Sequence, residues 1–532
     1  MMKILIADAM SEKAVEILKS NRLSVDVKTE LKAEELRRII GKYDALIVRS
    51  ATKVTRDLIG EAGRLKVIGR AGIGVDNVDV DAATEKGIVV MNTPQGNALA
   101  AAEHAIALMF AVARRVAAAD ASMKQGKWEK KQFMGVEIHG KTLGLVGIGN
   151  VGSVVAEKGL ALGMTVIAYD LYVPREVAQK KGIELVDLNT LLERSDFISV
   201  HVPLLKETKG LLNKESLART KKGVFIINTS RGPVVNEGDL YEALVSGQVA
   251  GAGLDVFDEE PPPPGHPLVL SDKVVCTPHL GASTREAQGK VAIDIANQIV
   301  DYAKNGVVRN SINAPAVSLE VMKQVFPYLS LCERLATFAA LITPFPVEEV
   351  AIEYLGDISE LETRILTQGI VKSVLSAHLE GINYVNAPIV ARFRGIKIKE
   401  TKGKEHEDFI SFLCITLKGT VKGRKAINSA CGTLFGKKEP RLVRVNKISV
   451  DAELTGKNML FLYSHDKPGV IANLAKLLAA RNINVGGMHF GRESVGGPSV
   501  CLLDLDEKVG DDVLDAMARL PNVLEVKRIE FA

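Results

Sequence analysis

Residues 145–170 read LVGIGNVGSVVAEKGLALGMTVIAYD, and this stretch decides the fold. Gly147, Gly149 and Gly152 stand in GxGxxG spacing after an apolar run. An amphipathic helical pattern follows, then a second apolar run that ends on Asp170. Each glycine has a physical task in a strand–turn–helix that holds a dinucleotide. The first permits the tight turn, the second lets the backbone approach a pyrophosphate, and the third lets the helix lie close on the sheet. A carboxylate at the end of the second strand binds a ribose 2′-hydroxyl and repels a 2′-phosphate, so Asp170 favours NAD over NADP. A lone GxGxxG is weak evidence, but strand, motif, helix, strand and acid in this order form a specific signal.

Working outward, residues 1–97 alternate short apolar runs with helical patterns, which predicts an open parallel sheet. NTPQGN at 92–97 interrupts that alternation and a long apolar helix pattern begins at Ala98. That stretch contains Glu103 and His104 and falls short of a membrane span, so it reads as a buried helix. Further strands follow as FISVHVP, GVFIINTS, GAGLDVF and VVCTPH, and a helix pattern runs from Thr284 to about Lys304. Beyond Pro315 strand alternation persists without βα regularity, which predicts an α+β module to about Ala452. The last eighty or so residues read βαββαβ, the ferredoxin-like order.

At 532 residues the chain is long enough for several domains, and 47% hydrophobic with 25% charged residues is an ordinary globular mixture. A net charge of +4 gives no electrostatic footprint for nucleic acid. Five scattered cysteines without CxxC spacing argue for reduced thiols and a cytoplasmic protein rather than a disulfide framework or zinc site. The start, MMKILIADAM, is strand-like rather than a signal peptide, and no His/Cys/Asp/Glu spacing suggests a metal.

Three polar residues follow apolar strands, where open α/β sheets place their ligands. They are Arg231 in NTSRGPVVNEGDL, Glu260 in GLDVFDEEP and His279 in CTPHLGAS. Oxidation of a hydroxy acid needs a base near neutrality, a cation for the carboxylate and an acid that orients the base. Singly, each residue also has a structural reading: a strand-end histidine, a surface ion pair, a solvated loop acid. Other histidines lack this context: His104 reads as a satisfied core residue, and His201 has no carboxylate in sight.

These motifs resemble the D-2-hydroxyacid dehydrogenase family, and the resemblance covers the whole chain. VRSATKVT, GRAGIGVDNVD and NTPQGN narrow it to the branch that oxidises 3-phospho-D-glycerate to 3-phosphooxypyruvate with NAD, opening L-serine biosynthesis. The implied architecture is a Rossmann-type domain (98–284) inserted into a flavodoxin-like substrate domain (1–97 and 285–315). An α+β intervening allosteric domain (316–452) and a ferredoxin-like ACT regulatory domain (457–532) follow.

The family pattern makes His279 the acid/base, Glu260 its partner and Arg231 the carboxylate anchor. It places cofactor contacts at Gly147, Gly149, Asn150, Val151, Gly152, Asp170, Val202, Thr229, Ser230, Arg231, Asp255 and at His279, Leu280, Gly281 and Ala282. Asp255 is expected to face the nicotinamide carboxamide. Relatives often carry threonine where this chain has Ile73, so that side-chain bond to the cofactor is absent. Substrate-phosphate candidates are Arg49 and Arg70, with Asn77 and the backbone of Asn97 weaker; a structural ion pair is the alternative for both arginines. The segment GKWEKKQF (126–133) crosses to a neighbouring subunit in the family, so Trp128 is a candidate dimer anchor and Lys130 a charge supplied in trans. An exposed basic loop with a locally packed Trp128 is the alternative.

The implied assembly is a homodimer or homotetramer. The implied effector is L-serine at Asp466 and Asn484, although Ser464 stands where some serine-regulated relatives carry His or Tyr. The C-terminal domain alternatively serves assembly only. The basic residues Lys418, Lys422, Arg424, Lys425 and Arg441 read either as an anionic effector site or as a solvated face. Two other functions use the same fold: a hydroxypyruvate or glyoxylate reductase, and an NAD-sensing interaction protein.

Overall fold

The computed structural model describes residues 1–315, 319–454 and 458–531. The expected domain limits at 316, 457 and 532 lie outside the described residues.

The first sheet has strands β1 (Lys3–Ile6), β2 (Ser24–Val27), β3 (Ala45–Val48), β4 (Val67–Arg70) and β5 (Val89–Met91), all parallel, in the order β2-β1-β3-β4-β5. This is the flavodoxin-like order. Its inner strands read as continuous apolar runs because helices cover both faces; β3, ALIV, is buried at every position. One of those helices is distant in sequence. Arg285–Asn305 is capped by the Thr284 hydroxyl, which accepts from Ala287 N–H at 3.1 Å, and ends at Gly306 in the left-handed region. It buries Val291, Ile295 and Ile299 against Ile4, Ile6 and Val67. The chain therefore leaves the first domain and returns to complete it.

The second sheet is also parallel: β6 (Thr142–Val146), β7 (Thr165–Tyr169), β8 (Glu184–Leu185), β9 (Phe197–Val200), β10 (Val224–Asn228), β11 (Val249–Leu254) and β12 (Val274–Cys276). The order β12-β11-β10-β9-β6-β7-β8 reverses direction between β6 and β9, the Rossmann switch point. The helix Ala98–Ala113 packs on this sheet because β11 is glycine-rich. A Cβ on Gly251 would lie 2.7 Å from Val112 Cγ2, and one on Gly253 2.9 Å from Leu108 Cβ.

The third sheet comprises β13 (Val347–Gly356), β14 (Lys397–Gly403), β15 (Ser411–Val421), β16 (Arg424–Phe435), β17 (Glu439–Val445) and β18 (Ile448–Glu453), ordered β14-β13-β15-β16-β17-β18. The fourth comprises β19 (Met459–His465), β20 (Val485–Arg492), β21 (Pro498–Leu505) and β22 (Val523–Ile529) in the ferredoxin-like order β20-β21-β19-β22. The two share a core in which Phe338 meets Phe461 edge-to-face at 5.7 Å. The fold class expected from the sequence is the one observed.

One expectation fails here. Cys414 and Cys431 form a disulfide, while Cys276, Cys332 and Cys501 are free. The pair faces across the β15–β16 hairpin in direct register, which linear spacing does not reveal. The cysteine count thus loses its force as an argument for a reducing compartment. Among the described residues no helix is long and apolar enough to cross a membrane, and no group of three or more His, Cys, Asp or Glu is placed to hold a metal.

Candidate active site

A cleft of about 840 Å³ opens between the carboxyl ends of the first two sheets. Arg49, Arg70, Asp76 and Asn97 line one wall; Gly149, Asn150, Val151, Val202, Thr229, Ser230, Arg231, Glu260, His279, Gly281 and Ala282 line the other.

Gly147 and Gly152 have the backbone geometry that their spacing predicts. Gly147 has φ 91°, which disfavours any side chain. A Cβ on Gly152 would sit 2.1 Å from the Gly147 carbonyl oxygen, so the helix Asn150–Ala161 lies this close only because residue 152 is glycine. Gly149 is different: an added Cβ would meet nothing within 4 Å. That open space lies at the helix N-terminus, where unpaired N–H groups attract an anion. Thr229 Oγ1 and Asn97 Oδ1 are buried without a partner, and both residues line the cleft. The residues present therefore fit a dinucleotide with polar groups to satisfy them. Asp170 stands at the end of β7, its carboxylate accepting Ile148 N–H at 2.9 Å, Tyr172 N–H at 2.8 Å and Val173 N–H at 3.1 Å. It ties the glycine loop to the strand end.

His279 Nδ1 lies 2.7 Å from Glu260 Oε2, which leaves Nε2 as the ring nitrogen for a substrate proton. The Glu260 contact raises the imidazole pKa against the opposing effect of burial. Burial pushes the Glu260 carboxyl up, but the His279 contact and the Phe257 N–H hold it below its ordinary value. His279 itself sits at φ 54°, a left-handed conformation that a non-glycine residue adopts only under constraint.

Asp255 supplies that constraint. Its carbonyl accepts His279 N–H at 2.9 Å, and its carboxylate accepts Thr277 Oγ1–H at 2.6 Å, Leu280 N–H at 2.7 Å and Gly281 N–H at 2.8 Å. His104 Nε2 lies 3.1 Å away, closing the network. The Asp255 side chain is wholly buried, so the expectation that it faces the nicotinamide is corrected: it shapes the loop that carries His279. Leu280 and Gly281 accordingly spend their N–H groups on Asp255. His201 lines the cleft, bonded to Ser199 Oγ at 2.8 Å, and burial pulls its pKa down to about 4.

Arg231 donates from Nη1 to Ser230 O at 2.7 Å and pairs across the cleft with Asp76, a residue the sequence reading did not single out. Arg49 is held by its own N–H, which donates to Asp8 Oδ2 at 2.6 Å. Arg70 is largely buried, which pulls its pKa down to about 10, and its Nε has no partner. Asn77 is a correction. Its amide donates to Arg49 O at 2.7 Å and Thr52 O at 2.6 Å, bracing the Arg49 loop instead of facing a substrate. Lys130 lies exposed on the short turn Lys130–Phe133, outside this chain's own cleft. Trp128 beside it is 78% exposed, not locally packed.

One copy of the chain does not bring the effector pair together. Asp466 follows β19, where Arg492 Nη1 reaches it at 2.9 Å, while Asn484 precedes β20 and donates to Asp506 at 2.6 Å. β19 and β20 both run antiparallel to β21 and hence parallel to each other, so the two residues lie at opposite ends of one sheet.

The D-isomer specific 2-hydroxyacid dehydrogenase NAD-binding domain matches residues 106–281, the D-3-phosphoglycerate dehydrogenase intervening domain 324–446 and the ACT domain 458–522. The chain is 42% identical over 533 residues to the D-3-phosphoglycerate dehydrogenase of Archaeoglobus fulgidus, covering 100% of both. The chain belongs to the D-3-phosphoglycerate dehydrogenase family. The Bacillus subtilis member is 37% identical, again over 100% of both chains. A D-lactate dehydrogenase of Aquifex aeolicus, solved with NAD and lactic acid, matches 59% of this chain and 100% of its own at TM-score 0.53 and 29% identity. A glyoxylate reductase of Paecilomyes thermophila matches 58% and 98% at TM-score 0.54 and 30% identity. As a member of this family the chain is an NAD-dependent oxidoreductase.

Proposed function

We propose that this chain oxidises 3-phospho-D-glycerate to 3-phosphooxypyruvate with NAD. The observation that carries the reading is the His279–Glu260 pair at 2.7 Å, in a cleft that Arg231 enters from one domain and Arg49 and Arg70 from the other. One guanidinium suits the carboxylate of the substrate, two suit its phosphate, and the imidazole suits the C2 hydroxyl. Bound NAD supplies the hydride acceptor. His279 takes the hydroxyl proton at Nε2 while Glu260 stabilises the imidazolium that forms. Arg231 holds the carboxylate and polarises the C2 oxygen.

NADH absorbance with 3-phosphoglycerate against glycerate, lactate and glyoxylate is the direct test. A clear preference for the phosphorylated acid is expected, and Arg49→Ala with Arg70→Ala should erase it. Preference for an unphosphorylated acid would place the chain with the lactate and glyoxylate enzymes whose fold it shares.

Two further readings complete the proposal. A second copy of this chain covers the apolar surface that includes Val116, Met123, Trp128 and Met134, all more than half exposed. Its Lys130 then reaches the cleft of its partner. Sedimentation of the full chain and of Trp128→Glu tests this, a monomeric wild type being the contrary result. L-serine is the effector of the ACT domain, with Asp466 of one copy and Asn484 of another on one ligand, since a single copy holds them apart. The intervening domain touches the substrate domain directly, Asn383 Nδ2 donating to Gly87 O at 2.9 Å with Val385 buried in its core. Serine inhibition that Asp466→Ala and Asn484→Ala both weaken is expected; millimolar serine without effect on rate or melting argues for a structural domain.

A further inference from the structure

One acid in the cleft has no part in the chemistry above. Asp76, in the substrate domain, accepts Arg231 Nε–H at 3.0 Å on Oδ2, and Arg231 Nη2 lies 2.8 Å from the same oxygen. Ser230 O accepts one Nη1–H at 2.7 Å. Of the five N–H bonds of a guanidinium, these contacts use the side-on edge and one flank. Hydrogens on both Nη1 and Nη2 remain for a ligand carboxylate.

The arrangement is built into the backbone. A Cβ on Gly74 would lie 1.9 Å from Arg231 Nη2 and 2.6 Å from Asp76 Oδ2, so the glycine clears the space in which the two side chains meet. Charge calls for it as well. Arg49 and Arg70 line the same cleft, and Arg70 and Arg231 repel one another, with Asp76 set against both. That acid offsets the repulsion between the two arginines. Stability does not explain the pair, because Asp76 is 61% exposed and so open an ion pair adds little to folding.

We infer that Asp76 is a positioning residue: from the opposite domain it fixes the plane of the Arg231 guanidinium so that the remaining Nη1 and Nη2 hydrogens meet the substrate carboxylate. The inference rests on Arg231 being the carboxylate anchor, as proposed above. It also ties substrate binding to the approach of the two domains, since Asp76 and Arg231 belong to different ones.

The test uses the full chain with Asp76→Asn and Asp76→Ala, read by steady-state kinetics, NADH fluorescence titration and inhibition by glycerol 3-phosphate, which has the phosphate but no carboxylate. The expected result is a loss in kcat/KM for 3-phosphoglycerate of about 10- to 100-fold, the span of one charge-assisted hydrogen bond. NADH affinity and glycerol 3-phosphate inhibition should change less than about twofold. Combined with Arg231→Lys, the penalties should fall well short of additive. Unchanged kcat/KM overturns the inference, as does a lower KM, which would make Asp76 a competitor of the substrate. Equal weakening of glycerol 3-phosphate also overturns it, by showing a general collapse of the cleft. A wild-type chain inactive on 3-phosphoglycerate refutes the proposed substrate instead; Asp76 is then assayed with the 2-hydroxy acid that does react.

Discussion

Two glycines of the same motif, three positions apart, should fail in opposite ways when replaced by alanine. At Gly152 the new methyl would lie 2.1 Å from the Gly147 carbonyl oxygen, where ordinary contact begins at 3.4 Å. The obstacle is backbone in a tight turn, with no rotamer to swing aside. The helix Asn150–Ala161 must therefore back off by roughly an ångström, and overpacking of this kind costs about 1–3 kcal/mol. At ~2–4 °C per kcal/mol for a domain of this size, Gly152→Ala should lower the melting temperature by about 2–12 °C. At Gly149 the methyl meets no protein atom within 4 Å, so Gly149→Ala should melt with the wild type. Its methyl instead occupies the space that a pyrophosphate needs. A similar steric cost then falls on binding, raising the NADH dissociation constant about 10- to 100-fold. Scanning fluorimetry and titration of NADH emission separate the two. Equal destabilisation of both variants, or normal NADH binding by Gly149→Ala, refutes this division of labour.

His279→Ala should cut turnover by about two to four orders of magnitude and leave NADH titration nearly unchanged, since only proton transfer is removed. For Glu260→Gln the sign follows from the raised imidazole pKa, which the carboxylate sustains. Without it the imidazole stays neutral to lower pH, so the acidic limb of the oxidation profile moves down, and reduction, which needs the imidazolium, is lost earlier as pH rises; coincident profiles for variant and wild type would deny the coupling. Asp170→Ala should weaken NAD and narrow its preference over NADP, measured as the ratio of the two kcat/KM values. It should also cost about 1 kcal/mol of stability by thermal melt, because three backbone N–H groups lose their acceptor.

The fold was legible where the instructions are local. A strand, a turn that only glycine accepts and a helix are written within a dozen residues of Leu145, and Gly147 at φ 91° and Gly152 against a carbonyl act on neighbours a few positions away. The βα alternation that builds both parallel sheets is equally local, as is the βαββαβ order of the last domain. The Cys414–Cys431 pairing was not, because it depends on the register of two long strands, which the Lys422–Gly423 turn sets and linear spacing hides.

In the site, legibility ended where a side chain's direction had to be known. His279, Glu260 and Arg231 were found because each follows an apolar strand, and strand ends face the cleft in this class of fold. Asp255 also follows a strand, but its carboxylate turns inward to four donors, and no periodicity records that choice. Asn77 stands one residue past Asp76, yet its amide turns back to brace Arg49 while Asp76 reaches Arg231, 155 residues away. Asp466 and Asn484 illustrate the limit most sharply. Their motif positions carry the chemistry of an amino-acid site, and the parallel run of β19 and β20 puts them at opposite ends of one sheet. A motif specifies which groups a ligand requires; topology decides whether one chain can bring them together, and here one chain does not.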